Sequence, residues 1–234
     1  MINVNLRRAA LVLAGALLTG CAHVPAPESA MNPSSAGAGW RSLFDGKTLT
    51  GWHVYRESGT PTNWAVVDGT IQRTADGGDL VTDEQFANFE LALDWKITPG
   101  GNSGILYRVA DTGDETYFTG PEMQVLDDTR HPDGKSPLTS AGSDYALYPA
   151  PRGVVKPVGE WNSVRLVVNG NHVEHWLNGV KVVEYDRGTQ MFRALVNNSK
   201  YQDMPGFGER ERGPILLQDH GNAVSFRSIK IRSL

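Results

Sequence analysis

The sequence predicts an all-β fold, two antiparallel sheets packed as a sandwich or jelly roll, and three observations carry that reading. Apolar and polar residues alternate with a period of two through most of the chain from Trp40 onward. Two-residue hairpin signals, Asp68-Gly69, Asn169-Gly170 and Asn178-Gly179, punctuate the alternating runs. Strand-like runs also follow one another directly, without the strand–helix–strand alternation of a parallel sheet.

Taken in order, "NWAVVDGTIQR" is a hairpin turned at Asp68-Gly69. "NFELALDWKI" places Phe89, Leu91, Leu93, Trp95 and Ile97 on one face, with Asn88, Glu90, Asp94 and Lys96 on the other. A Pro99-Gly100-Gly101 turn leads into "SGILYRV", followed by a strand over residues 121–126. "WNSVRLVV", "HVEHWL" and "VKVVEY" form a meander, and "PILLQDH" and "VSFRSIKI" close the chain. Only 188–200 has a helical spacing, with Met191/Leu195 and Phe192/Val196 four apart. Two segments without strand pattern, 127–160 and 201–212, are long for loops of a compact domain and are candidate walls of a site.

The N-terminus reads as an address. Arg7 and Arg8 precede an apolar run, "AALVLAGALL", and "LTGC" follows. The run is shorter than the roughly 20 residues a membrane span needs. Leu18–Cys21 resembles a bacterial lipobox, implying cleavage before Cys21 and lipidation of that residue; Ala22 at the next position goes with outer-membrane sorting in Gram-negative lipoproteins. Cys21 is the single cysteine, so no intrachain disulfide can form. The expected organisation is a signal peptide (1–20), a lipid anchor and Pro/Ser/Ala-rich tether (21–39) and one folded domain (40–234).

The 234 residues, 40% of them hydrophobic, suffice for one domain with a sizeable core. A net charge of −4 with no basic face argues against nucleic acid as a partner. A small carbohydrate suits this balance, with the membrane reached through the anchor alone.

Polar side chains recur in phase on three strands: Arg108 with Leu106, Glu122 with Gln124, and Gln218 and His220 with Leu216. A solvated sheet face explains each pair separately. Together, Arg108, Glu122, Gln124 and His220 suggest a wet face with converging donors and acceptors. His175, in phase with Val173 and Leu177, reads as a hydrogen-bonded, half-buried residue; His53 reads as structural. His131, in "RHPDGK", is a loop cap or a member of the site. A divalent cation on Asp127 or Asp128 and His131 is a weak alternative, because no fixed metal-ligand spacing is present. No GxSxG, phosphate loop or dinucleotide fingerprint occurs. Of the tryptophans, Trp95 is in phase with the core, while one or two others, Trp176 among them, offer platforms for sugar rings.

"WRSLFDGKTLTGWHVY", "GNSGILYRV", "GPEMQVLDD", "GEWNSVRLVVNGNHVEHWLNGVKVVEY" and "GPILLQDHG…VSFRSIKI" occur in that order and closely resemble the 3-keto-disaccharide hydrolase domain family. The resemblance runs from about Trp40 to the C-terminus. It implies a concanavalin-like jelly roll and activity on glycosides already oxidised to a ketone at C3, with a separate sugar 3-dehydrogenase upstream. Such a ketone acidifies the C2 proton, so the glycosidic bond can break by elimination followed by hydration. For that chemistry the expected catalytic residues are Glu122 and His220 as proton carriers, Arg108 or a bound cation as enolate stabiliser, and His131. Gln124, Gln218, Asp128, Tyr145 and Trp176 are the expected sugar-binding set. A retaining jelly-roll glucanase would need E-x-D-x-E, but from Glu122 the sequence reads Glu-Met-Gln-Val-Leu. A non-catalytic carbohydrate-binding module of laminin-G type is the other alternative.

Overall fold

The computed structural model describes residues 39–110 and 115–234, so the expected signal peptide, Cys21 and nearly all of the expected tether lie outside the described residues. Among the described residues there are thirteen strands and one α-helix. In chain order they are β1 (Arg41–Ser42), β2 (Trp52–Val54), β3 (Trp64–Val67), β4 (Thr70–Arg73), β5 (Leu80–Thr82), β6 (Phe89–Ile97) and β7 (Asn102–Tyr107). Then follow β8 (Glu122–Leu126), β9 (Asn162–Asn169), β10 (His172–Leu177), β11 (Val180–Asp186), α1 (Gln190–Asn197), β12 (Ile215–Leu217) and β13 (Val224–Ser233).

The strands form two antiparallel sheets. The larger runs β11-β10-β9-β6-β13-β4-β3, with β1 also paired to β13; the smaller runs β2-β5-β12-β7-β8. The all-β sandwich is therefore as the alternation predicts. β6 lies between β9 and β13, and its five odd-numbered residues, Phe89 to Ile97, are all buried. Burying each such side chain contributes about 1.5–3 kcal/mol relative to exposure. On the opposite face Glu90 is also buried, held by Arg165 and Arg232 on the neighbouring strands.

The hairpin turns obey the backbone chemistry of their residues. Asp68 and Gly69 have φ of 49° and 73°, and Asn178 and Gly179 have 50° and 82°, the double left-handed geometry that matches strand twist. The third turn sits one residue later than the sequence suggests, because β9 continues to Asn169 and Gly170–Asn171 make the turn. In α1, Thr189 Oγ1 accepts the Phe192 amide at 3.1 Å, and Phe192 packs into the core while Met191 is exposed.

A polar chain crosses the sandwich interior. The Tyr107 hydroxyl lies 3.1 Å from His175 Nε2 and 2.9 Å from the Tyr185 hydroxyl, and His175 Nδ1 lies 3.1 Å from the Gly142 carbonyl. A carbonyl only accepts, so Nδ1 carries the proton and Nε2 accepts from Tyr107. Burial lowers the His175 pKa to about 4, consistent with a neutral ring. His175 is thus a satisfied core histidine, wholly buried rather than half-buried. Among the described residues no helix is long and apolar enough to cross a membrane.

Candidate active site

The site lies on the outer face of the five-stranded sheet, and β8 positions its centre. Met123 and Val125 enter the core between the sheets, so Glu122 and Gln124 face outward. Register then selects their neighbours. Glu122 stands opposite Leu106, which stands opposite Leu216, and Gln124 stands opposite Gly104. The Gln218 amide bonds the Gly104 carbonyl at 2.9 Å, which places Gln218 in the Gly104–Gln124 row. Val81, Leu106, Val109 and Leu216 form a small apolar floor, walled by Tyr55 and Tyr117.

Glu122 leans over Gly104. A Cβ on that glycine would lie 2.4 Å from Glu122 Oε1 and 2.9 Å from its Cδ, so the missing side chain is what makes room for the carboxylate. Glu122 is 4% exposed, and among the described residues no side chain or amide donates a hydrogen bond to its carboxylate. Loss of hydration pushes its pKa up to about 7; Lys200 opposes the rise, and Asp79 and Asp133 add to it.

Around this carboxylate opens a cleft of about 530 Å3. Asn102, Gln124 and Gln218 supply amides, Tyr55, Tyr117 and Tyr145 supply rings, and Lys200 and His220 stand at its walls. Tyr145 arrives through an extra stretch of pairing that covers the outer edge of β8: the Gly142 amide bonds the Gln124 carbonyl at 2.8 Å, and the Tyr145 amide bonds the Glu122 carbonyl at 3.0 Å. The Tyr145 hydroxyl donates to Asp133 at 3.0 Å, and burial raises its pKa. Asp79 ties the opposite wall together, accepting the Asp219 amide at 2.7 Å and the Thr116 hydroxyl. Asp219 is itself neutralised by Arg73 at 2.6 Å.

Five of the nine residues proposed from sequence meet in the cleft: Glu122, Gln124, Tyr145, Gln218 and His220. The other four do not. Arg108 has φ of 53°, so the strand alternation ends at Tyr107 and the guanidinium turns inward. There it donates to the carbonyls of Ala87, at 2.6 Å and 3.1 Å, and of Gly170, at 3.1 Å, as a buried clamp on loops. His131 Nδ1 accepts the Asp133 amide at 3.2 Å and caps the short turn Pro132–Lys135. Asp128 accepts the Ala141 amide at 2.8 Å and borders a separate cavity beside Trp95 and Asn162. Trp176 lies on the outer face of the other sheet, donating to Glu174 at 2.7 Å beneath Arg165 and Lys181.

The suggested cation ligands are likewise dispersed, since Asp127 is occupied by the Gly100 amide and by Thr129. Among the described residues the ligand atoms that do cluster are those of His172, Glu174 and Glu184, and Lys181 already pairs with both glutamates. Of the expected walls, 127–160 contributes Tyr145, whereas 201–212 lines a different cavity against α1. Sequence reasoning missed Tyr55, Asp79, Asn102, Thr116, Tyr117 and Lys200. Asn102 alone carried a signal, being in phase with Gly104 and Leu106 on the strand that faces Glu122.

Known proteins resemble the chain in sequence and fold. Residues 39–232 match the 3-keto-alpha-glucoside-1,2-lyase-like domain family. A 3-keto-disaccharide hydrolase of Bacteroides thetaiotaomicron is 36% identical over 228 residues, covering 84% of this chain and 79% of that protein. A crystal structure from Parabacteroides distasonis, of a protein assigned provisionally to the glycosyl hydrolases, is 35% identical with a TM-score of 0.79, covering 84% of this chain and 94% of that one. The Bacillus subtilis carbohydrate-binding module CBM66 shares the fold at 15% identity, with a TM-score of 0.50 over 79% of this chain and 96% of its own. The chain belongs to the 3-keto-alpha-glucoside-1,2-lyase-like domain family.

Proposed function

We propose that the domain cleaves glycosides whose sugar ring carries a ketone at C3, by proton abstraction, elimination and hydration. The observation that carries this reading is Glu122: a buried carboxylate, without a hydrogen-bond partner among the described residues, at the base of an amide- and tyrosine-lined cleft, with its pKa brought to about 7. A base of that pKa is matched to a C–H acidified by an adjacent ketone at neutral pH.

Glu122 takes the C2 proton, and the C–H electrons move onto the C3 oxygen as an enolate. As the carbonyl re-forms, the C1–O bond breaks and its electrons leave on the glycosidic oxygen, which His220 protonates from the cleft wall. Water then adds at C1 and a proton returns to C2, so the net reaction is hydrolysis; release before hydration would make the same site a lyase. Gln124, Gln218 and Asn102 hold sugar hydroxyls, and Tyr117 and Tyr145 flank the ring. The 36% identity to a 3-keto-disaccharide hydrolase supports the substrate class.

Incubating the purified chain with a 3-keto-disaccharide and with the parent disaccharide tests this directly. Cleavage of the keto form alone is expected. Cleavage of the parent would mean conventional glycoside hydrolysis, and binding without turnover of either would mean a carbohydrate-binding module. Lipidation at Cys21 would hold the domain at the periplasmic side of the outer membrane, beside a dehydrogenase that supplies the ketone. Lipid labelling that persists in Cys21→Ser would overturn that placement.

A further inference from the structure

The geometry points to Lys200 as the catalytic cation that receives the negative charge developing on the substrate's C3 oxygen, an assignment that rests on the keto-glycoside reading above. The need for such a group is chemical. Abstraction of the C2 proton leaves an electron pair that must reside on oxygen, and a cation placed beside that oxygen stabilises it. Arg108, the residue expected from sequence to do this, is buried among loop carbonyls on the other side of the strand's end.

Among the residues lining the cleft, Lys200 is the single Lys or Arg. Its Nζ lies 4.1 Å from the ring centroid of Tyr145, 5.0 Å from that of Tyr201 and 5.5 Å from that of Tyr117. These rings come from three separate segments, so the cage exists only in the folded chain. Ring faces hold a cation without consuming its N–H donors. Among the described residues no carboxylate approaches Lys200 Nζ within ion-pairing distance, although Glu122 and Asp133 lie close enough to act on it. The cleft therefore holds an ammonium with no hydrogen bond committed among the described residues, within electrostatic reach of the carboxylate that starts the reaction. Burial nudges the Lys200 pKa downward, and the two carboxylates oppose that shift.

In the reaction the ammonium keeps its proton. It donates a hydrogen bond to the ketone oxygen, strengthens that bond as the oxygen becomes an enolate, and relaxes when the carbonyl re-forms. No electron or proton is left unassigned: the C2 proton is on Glu122 and the leaving electrons are on the glycosidic oxygen.

The test compares Lys200→Met and Lys200→Arg with the unaltered chain on a 3-keto-disaccharide, across pH. Removing one donor to a developing oxyanion costs roughly 10²–10³-fold in kcat. Lys200→Met is expected to lose about that much, with KM changed by less than about threefold, and Lys200→Arg to recover part of it. The charged groups acting on Glu122 are Lys200, Asp79 and Asp133; the buried Asp144 interacts with it as well, and Glu115, Asp219 and His220 also line the cleft. Because Lys200 holds the Glu122 pKa down, the acid limb of kcat/KM should move to higher pH in Lys200→Met and stay in place in Lys200→Arg. Lys200 is exposed at the rim, so an unchanged melting temperature serves as the folding control. Lys200→Met retaining kcat within about threefold, or an unmoved acid limb, overturns the assignment while leaving the keto-glycoside reading intact. A covalent lysine adduct trapped with cyanoborohydride overturns it too, since the amine would then be a nucleophile. If the unaltered chain does not cleave the keto sugar, both readings fall.

Discussion

The two faces of the smaller sheet carry buried polar groups of opposite character. On the inner face, Tyr107, His175 and Tyr185 complete one another's hydrogen bonds and end on the Gly142 carbonyl. On the outer face, Glu122 is nearly as deeply buried, yet among the described residues its carboxylate has a bare glycine beneath it and no donor. Burial alone therefore does not distinguish structure from function in this domain. Between these two sets the difference is whether the described residues supply a partner, because a buried polar atom without one costs stability unless a ligand supplies what is missing; the buried Asp144 carboxylate beside Tyr185 also has no hydrogen-bond partner there.

The largest effect is expected where that difference is erased. Glu122→Gln keeps the shape and removes the base, so kcat/KM should fall by roughly 10²–10⁴-fold. Stability should move the other way. Glu122 has a folded pKa near 7, above the ordinary value of 4.5, so the folded state binds its proton more tightly than the unfolded state does. Its contribution is complete below about pH 4.5 and is lost as pH rises through about 7. At pH 8, Glu122→Gln should therefore be more stable than the unaltered chain by about 1–3 kcal/mol, and the gain should vanish at pH 4.5. Urea denaturation at the two pH values measures it, and a variant less stable at pH 8 would show that the carboxylate is satisfied after all.

Gly104→Ala tests the same seat from below. The backbone there has an ordinary negative φ, so the cost falls on the contact, where a methyl group would meet Glu122 Oε1 at 2.4 Å. The carboxylate must swing aside by about an ångström, and such a displacement costs roughly 10²-fold in rate. Catalysis unaffected by this substitution would mean that Glu122 works from another position.

Tyr107→Phe should give the reverse pattern. It leaves His175 Nε2 buried without a donor, at a cost of about 1–3 kcal/mol, or roughly 2–4 °C of melting temperature per kcal/mol for a domain of this size. Activity below the transition should be unchanged. The His175 pKa is depressed to about 4 from 6.5, so its contribution is present above about pH 6.5 and is lost as pH falls through about 4. Loss of activity at matched stability would show that the inner chain communicates with the cleft.

The contrast was half legible in the sequence. Alternation in "PEMQVL" sends Glu122 and Gln124 one way and Met123 and Val125 the other, because a period of two is a local property of the strand. The same rule failed at Arg108, since it holds only while the strand does and a left-handed φ at that residue ends it. Gln218 and His220 reach the cleft from beyond the end of β12, where phase no longer guarantees a direction. Lys200 and Tyr117 left no periodic trace at all. One follows a helix and the other sits in the three-residue turn Thr116–Phe118, and tertiary contacts alone bring their side chains together. Trp176 failed for a related reason: its phase correctly marks an outward residue, but on the sheet that does not carry the cleft.

The smallest effect should come from His131, and it sharpens the boundary between the two kinds of polar group. His131 is remote in role, capping the turn that holds Asp133, whose carboxylate in turn fixes the Tyr145 hydroxyl above the cleft. His131→Ala should cost about 0.5–2 kcal/mol as the loss of a cap, and loosen Tyr145 enough to raise KM by less than about tenfold. His131→Asn, which can also accept the Asp133 amide, should restore most of the binding. Because the imidazole touches no reacting atom, neither substitution should move the acid limb of kcat/KM, which Glu122 sets. A shift of that limb in His131→Ala would place the ring in the proton inventory of the cleft and make it the catalytic group that its sequence context first suggested.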